Sequence, residues 1–293
     1  MTSDPPPARD AEADAVQQAA AARPVAIFDS GLGGLTVMRE IALALPHEDL
    51  IYFGDTARVP YGIKSPKTII LFADECCRFL RRREPKLIVV ACNTASAAAL
   101  PYLREALDVP VIGVVEPGAR AAVAATRNRR VGVIGTEATI KSRAYVETIR
   151  ELDPSIAVID RPCPLLVPLV EEGRACDDPV VRLAAKEYLR PIRDFGADTL
   201  VLGCTHYPLL KAALRQAMGA AVSIVDSAEE TARATAETLD GLGLRRAGPS
   251  SPAYRYIVTD NPLRFAAVGS RIMRNIIDCV ELVDPDAIAR PPS

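Results

Sequence analysis

An α/β protein made of two doubly wound domains with parallel-rich sheets, facing each other across a cleft, is the architecture that three observations predict. Short apolar runs recur along the chain, each followed by a helix-length amphipathic segment, the pattern of a parallel sheet covered by helices. The 293 residues, 49% of them apolar, suffice for one large domain or two of ordinary size. One motif also occurs twice: LIVVACNTASA at 87–97 and LVLGCTHYPLL at 200–210 each end an apolar run on a cysteine followed by small polar residues. Periodicity alone leaves a single eight-stranded α/β barrel open. The duplication favours two halves, because ligands bind beyond the carboxyl ends of parallel strands and each half then offers one cysteine there.

Taken in order, residues 1–22 are acidic, proline-rich and then alanine-rich, and should form a disordered tail, since they bury too little apolar surface to offset ordering entropy. Strands are expected at VAIFD (25–29), LIYFGD (50–55), LIVVAC (87–92), PVIGVV (110–115), VGVIGT (131–136), IAVID (156–160), TLVLGC (199–204), VSIVD (222–226) and YRYIVTD (254–260). The closing ARPPS resembles the leader in composition. The leader has neither a basic n-region nor an apolar h-region, and no apolar run reaches membrane-spanning length, so neither secretion nor a membrane partner is expected.

The 35 basic and 37 acidic residues nearly cancel, and no basic cluster is interleaved with aromatics, which argues against nucleic acid as a partner. The run RFLRRR at 78–83 reads as the solvated face of an amphipathic helix. Seven cysteines, two of them adjacent at Cys76 and Cys77, show no disulfide framework and no metal-site spacing. Reduced thiols in a cytoplasm are expected.

The chemistry concentrates in a few stretches. Cys92 and Cys204 each close a strand and precede residues suited to capping a helix: Asn93 and Thr94 in one case, Thr205 with Pro208 in the other. A thiol at the positive end of a helix dipole should have a pKa below its usual value of about 8.5. Cys76, Cys77, Cys163, Cys176 and Cys279 read as packing residues. His206, two residues after Cys204, could hold a proton near that thiol, whereas His47 lies in an ordinary polar turn.

FDSGLGGLTV at 28–37 invites a dinucleotide reading, especially with Asp55 ending the next strand. Thr36 replaces the third glycine, however, and Asp29 would repel a pyrophosphate. Small-anion binding by Ser30 and the turn's N–H groups suits the stretch better, with Asp29 as a proton handler or ammonium partner; close helix packing is the competing use of the glycines. FGDTARVPYG at 53–62 is a polar loop with Tyr61 and Gly62 at its tip, able to close over a ligand. VPLVEEG at 167–173 carries Glu171 and Glu172, between which local sequence does not choose.

FDSGLGGLTV, YFGDTARVPYG, VACNTASA, GVVEPGA, VGVIGTEATIKS, PLLVPLVEEG and LVLGCTHYPLL, in this order over 25–230, resemble the glutamate racemases of the cofactor-independent aspartate/glutamate racemase group. The resemblance implies two α/β domains with the active site between them, here placed at 23–116 plus 227–270 and at 117–226, with 271–293 as an extension. It implies that Cys92 and Cys204 are catalytic acid/bases, with Asp29, Glu171 and His206 near them. Ser30, Tyr61, Gly62, Asn93, Thr94 and Thr205 would bind substrate, with Asp29 and His206 contributing and Thr136 a weaker candidate. It further implies no cofactor, a free amino acid as substrate, D-glutamate supplied to peptidoglycan, and allows a homodimer. His206 points to glutamate, because the related aspartate racemases tend to carry a glutamate at that place. Racemisation of aspartate or another amino acid, a non-catalytic two-lobe amino-acid sensor and, more distantly, a nucleotide-dependent oxidoreductase are the competing readings.

Overall fold

A computed structural model describes residues 8–248 and 250–289. The nine apolar runs all form strands: β1 (Val25–Asp29), β2 (Leu50–Gly54), β3 (Leu87–Val90), β4 (Val111–Gly113), β5 (Arg130–Gly135), β6 (Ala157–Pro162), β7 (Thr199–Gly203), β8 (Ser223–Asp226) and β9 (Tyr254–Val258). A two-residue β10 (Glu281–Leu282) joins them. One sheet runs β10-β9-β2-β1-β3-β4 and the other β6-β5-β7-β8, with every pairing parallel. The first sheet draws its strands from 25–113 and 254–282, the second from 130–226. There is no barrel.

The central strands are apolar throughout because helices cover both of their faces. In β1, Val25 and Ile27 face one core while Ala26 and Phe28 face the other. In β7, Leu200 and Leu202 pack on one side and Val201 on the opposite side. Among the described residues no helix is long and apolar enough to cross a membrane.

The shared strand order explains the repeated motif. Each sheet is wound so that its first and third strands are neighbours, β1 beside β3 and β5 beside β7, and the side on which strands are added switches there. Such a switch point opens a crevice at the carboxyl ends of the strands. Phe28 lies opposite Val90, so two residues further on Ser30 and Cys92 emerge side by side. Gly135 lies opposite Gly203, and the next residues are Thr136 and Cys204. Each sheet therefore delivers one hydroxyl and one thiol at its switch point.

One expectation fails at the N-terminal end. A helix spans Ala8–Ala21 where a disordered tail was expected, residues 1–7 lying outside the described residues. Its alanines favour helix, and long-range hydrogen bonds dock its end: Gln17 donates to the Gly243 carbonyl at 2.7 Å, Lys86 to the Ala21 carbonyl at 2.6 Å and Arg246 to that of Ala22 at 2.5 Å. Near the other end, β10 extends the first sheet beside β9, and Ile288 of the short Pro285–Ala289 helix enters the core beneath it. Of ARPPS, residues 290–293 lie outside the described residues.

Candidate active site

Between the two sheets lies a cavity of about 330 Å³, and of the twelve candidate residues eleven line it: Ser30, Tyr61, Gly62, Cys92, Asn93, Thr94, Thr136, Glu171, Cys204, Thr205 and His206. Val59, Pro60, Ile63, Pro164, Val167 and Pro168 give most of the remaining wall an apolar character, with Glu137 a charged exception. The twelfth candidate, Asp29, does not line it. Its side chain is buried behind Ser30 and Gly31, with Oδ2 accepting the Gly31 N–H at 2.9 Å and Oδ1 unpartnered among the described residues.

Both thiols are 5% exposed. Cys92 is itself the N-cap of the Asn93–Ala106 helix, so neither Asn93 nor Thr94 caps it. The dipole expectation fails here: the Cys92 thiol is pushed up to about 12, chiefly by burial and then by the nearby Asp29 carboxylate. Hydrogen bonds from Ser30 and from the backbone only moderate that rise; Cys92 Sγ and Ser30 Oγ are 3.3 Å apart. Cys204 leads into a 3₁₀ turn, Tyr207–Leu210, ahead of the Lys211–Met218 helix, and Thr205 makes no side-chain cap.

On the second-sheet side, His206 Nδ1 is 3.9 Å from Cys204 Sγ and its Nε2 is 3.1 Å from Glu171 Oε1. Burial pulls the imidazole's pKa down, but hydrogen bonds to Cys204 and Glu171 outweigh it and carry it up to about 10. Glu171 in turn is held low, first by its hydrogen bond to His206. Glu171, rather than Glu172, is thus the glutamate that faces the site, an assignment local sequence did not make. The Asp29 carboxyl is shifted upward by burial, against the pull of the His206 charge.

Close contacts knit the two halves together around the cavity. Thr36 Oγ1 donates to the Thr205 carbonyl at 3.0 Å. A methyl at Gly33 would come within 2.4 Å of Thr205 Oγ1 and 2.5 Å of His206 Nδ1; at Gly62 it would come within 2.8 Å of Thr136. Both glycines thus sit where the halves approach closely, leaving no room for a side chain. Thr94, Thr136 and Thr139 form a hydroxyl cluster, with oxygens 2.9 Å apart for Thr94 and Thr136 and for Thr136 and Thr139. The Tyr61 hydroxyl is committed to Asp55, so it is not this group that Tyr61 offers to a ligand.

Thr139, Tyr145 and Arg264 were not expected. Tyr145 donates to Asn93 Oδ1 at 2.6 Å, and Arg264 lies 3.8 Å from Glu171. Thr139 follows Thr136 at the spacing of an N-cap hydroxyl and the N–H it accepts, which was a legible local signal; the other two meet the site only through tertiary approach. Among the described residues no three His, Cys, Asp or Glu side chains are grouped as a metal site.

Residues 30–235 match the family model for Asp/Glu/hydantoin racemase. The chain is 55% identical over 249 residues to a glutamate racemase of Geobacter metallireducens, covering 85% of this chain and 92% of that one. Its structure is similar to that of a glutamate racemase from Bacillus anthracis, with a TM-score of 0.86, 42% identity and coverage of 89% and 97%. It is also similar to a glutamate racemase from Francisella tularensis in complex with D-glutamate, with a TM-score of 0.85, 40% identity and coverage of 91% and 99%.

Proposed function

The chain belongs to the Asp/Glu/hydantoin racemase family, and on that premise we propose that it interconverts L- and D-glutamate without a cofactor, using Cys92 and Cys204 as the two acid/bases. The observation that carries this reading is the pair of thiols delivered to one cavity from the switch points of two sheets. Inverting an α-carbon takes a base on one face and an acid on the other, which a duplicated thiol supplies. With L-glutamate the Cys204 thiolate removes the α-proton and the Cys92 thiol returns one to the opposite face; with D-glutamate the roles exchange. Each turnover moves the thiolate from one side to the other; a turnover in reverse restores it, and loss of the Cys204 proton to solvent with gain of one by Cys92 resets the pair for another turnover in the same direction.

The two thiols are supported differently. A protonated His206 puts a cation 3.9 Å from the Cys204 sulfur, attracting the charge that sulfur carries as a base, while Glu171 holds the imidazolium. Cys92 has a neutral hydroxyl beside it and the Asp29 carboxylate behind it. With its pKa carried up to about 12 by burial and Asp29, the Cys92 thiolate is costly to form near neutral pH. Substrate ammonium supplies the missing positive charge, so base and substrate activate each other on the Cys92 side. Ser30, Asn93, Thr94, Thr136 and Thr205 offer hydroxyl and amide donors to the two carboxylates, and the burial of Asn93, Thr94 and Thr205 strengthens those bonds. Tyr61 and Gly62 shape the wall, and Asp29 acts through charge on Cys92 without touching substrate.

The lobes are assigned as 23–116 with 227–270, and 117–226; 271–293 is assigned to the extension that begins in the helix Pro262–Met273. The product fits a cytoplasmic supply of D-glutamate for peptidoglycan, a placement in keeping with seven free thiols. The test is incubation of the protein with single enantiomers of glutamate and of aspartate, with no cofactor added, following optical rotation. Inversion of both glutamate isomers is expected, and loss of it in Cys92→Ala and in Cys204→Ala. Inversion of aspartate alone would reassign the substrate, and inversion of nothing would leave a two-lobe sensor.

A further inference from the structure

We propose that Tyr145 is a positioning residue: its hydroxyl fixes the Asn93 side chain so that the amide NH2 faces the cleft as a donor to a substrate carboxylate. This rests on the substrate being a dicarboxylic amino acid. Tyr145 stands on the Ala144–Leu152 helix of the second lobe and is 2% exposed. Its ring occupies a slot left by two glycines, since a methyl at Gly118 or Gly203 would come within 3.2 or 3.1 Å of ring carbons. Gly203 is the residue before Cys204. From that slot the hydroxyl crosses to the first lobe and donates to Asn93 Oδ1 at 2.6 Å.

A buried phenol has one proton to place and needs an acceptor for it. Ser227, whose Cβ also borders Gly118, is the other hydroxyl beside the Tyr145 phenol and donates to the Leu202 carbonyl at 3.1 Å, while the Tyr145 proton is directed to Asn93 Oδ1. With Oδ1 taken by Tyr145, the Asn93 amide nitrogen is left over: it is buried, unpartnered among the described residues, and belongs to a residue that lines the cavity and is 2% exposed. Buried donors without acceptors are rare in folded proteins. A carboxylate entering the cavity supplies the acceptor, whereas an amide turned the other way would present oxygen to an anion. Because Asn93 adjoins Cys92 and Tyr145 packs beside Cys204's predecessor, the same bond ties the substrate donor to the lobe carrying the opposite thiol.

Tyr145→Phe keeps the ring and deletes the hydroxyl. The expected result is a KM for both glutamate enantiomers raised about tenfold, the scale of one hydrogen bond to a charged group, with kcat within about twofold. Asn93→Ala should raise KM at least as much, and Tyr145→Phe should add nothing further in the Asn93→Ala background. If Asn93→Ala does not fold, Asn93→Asp, of similar volume but without the donor, replaces it in the same cycle. An unchanged KM in Tyr145→Phe, or the same rise with and without the Asn93 amide, would overturn the proposal. Parent protein that inverts glutamate while the cycle is additive separates this failure from a failure of the substrate reading.

Discussion

Gly33→Ala is the sharpest steric test of how the two lobes meet. The added methyl would sit 2.4 Å from Thr205 Oγ1 and 2.5 and 2.6 Å from Nδ1 and Cε1 of the His206 ring, whereas ordinary contact begins at 3.4 Å. Gly33 has no positive φ, so alanine fits the backbone and the conflict is one of space alone. Relieving it requires the segment carrying Thr205 and His206 to retreat by about 1 Å, which carries Cys204 and its imidazole partner away from the first lobe. A misplacement of that size costs about 10²-fold in rate, so kcat/KM should fall about 10²-fold, or about 2.7 kcal/mol in transition-state stabilisation. Initial rates followed by circular dichroism of glutamate, in both directions, measure it, and the far-ultraviolet spectrum reports whether the fold persists. Gly241→Ala, where an added methyl meets nothing within 4 Å, is the control and should leave the rate unchanged. A Gly33→Ala protein with activity within twofold of the parent would refute the packing argument.

Glu171→Gln removes the carboxylate that helps carry His206 up to about 10. Since the imidazolium exists below that pKa, the alkaline limb of the pH–rate profile should lie near 10 in the parent and move to lower pH in the variant; an unmoved limb would separate Glu171 from His206 function. The raised pKa also makes His206 a source of stability that is complete below 6.5 and lost as pH rises through about 10, so denaturant midpoints should fall across that window. Tyr61→Phe and Asp55→Asn disrupt one bond from its two ends, with Asp55 also held by Arg58 at 2.7 Å and Thr259 at 3.1 Å, so their effects on KM should be markedly less than additive. Lys86→Met removes the ammonium from the Glu48 carboxylate, which is 2% exposed, keeps the Arg246 N–H at 2.9 Å and is not part of the cavity lining; it should cost about 3 kcal/mol of stability in urea unfolding, the low end for a broken buried pair, while leaving KM unchanged.

Much of this molecule is written locally. Parallel strands buried on both faces leave uninterrupted apolar runs, which is why β1, β2, β3 and β7 were legible; the partly exposed β6, β8 and β9 kept enough apolar residues to be read, and β10 did not because its two residues are both exposed. The helix Ala8–Ala21 was missed for the opposite reason: its sequence buries little, and the contacts with Lys86, Leu242, Gly243 and Arg246 that dock it come from far along the chain. The paired cysteines were legible because the switch-point topology is repeated, so the same strand-end position carries the same local motif twice. What a local argument could not supply was burial. The helix dipole predicts an easily ionised Cys92, but desolvation and Asp29 dominate, and neither depends on sequence neighbours alone. Tyr145 and Arg264 stayed hidden because only the approach of the lobes gives them a partner in the site.

The central claim is that one thiol removes the α-proton and the other delivers its replacement. Racemisation in D2O of each protiated enantiomer, sampled before appreciable reversal, tests it most directly by the isotope content of both pools. The account predicts that product carries deuterium at the α-carbon from its first appearance while remaining substrate keeps its protium, in both directions. Product that retains the substrate's own proton would mean a single group working on both faces, and would contradict it.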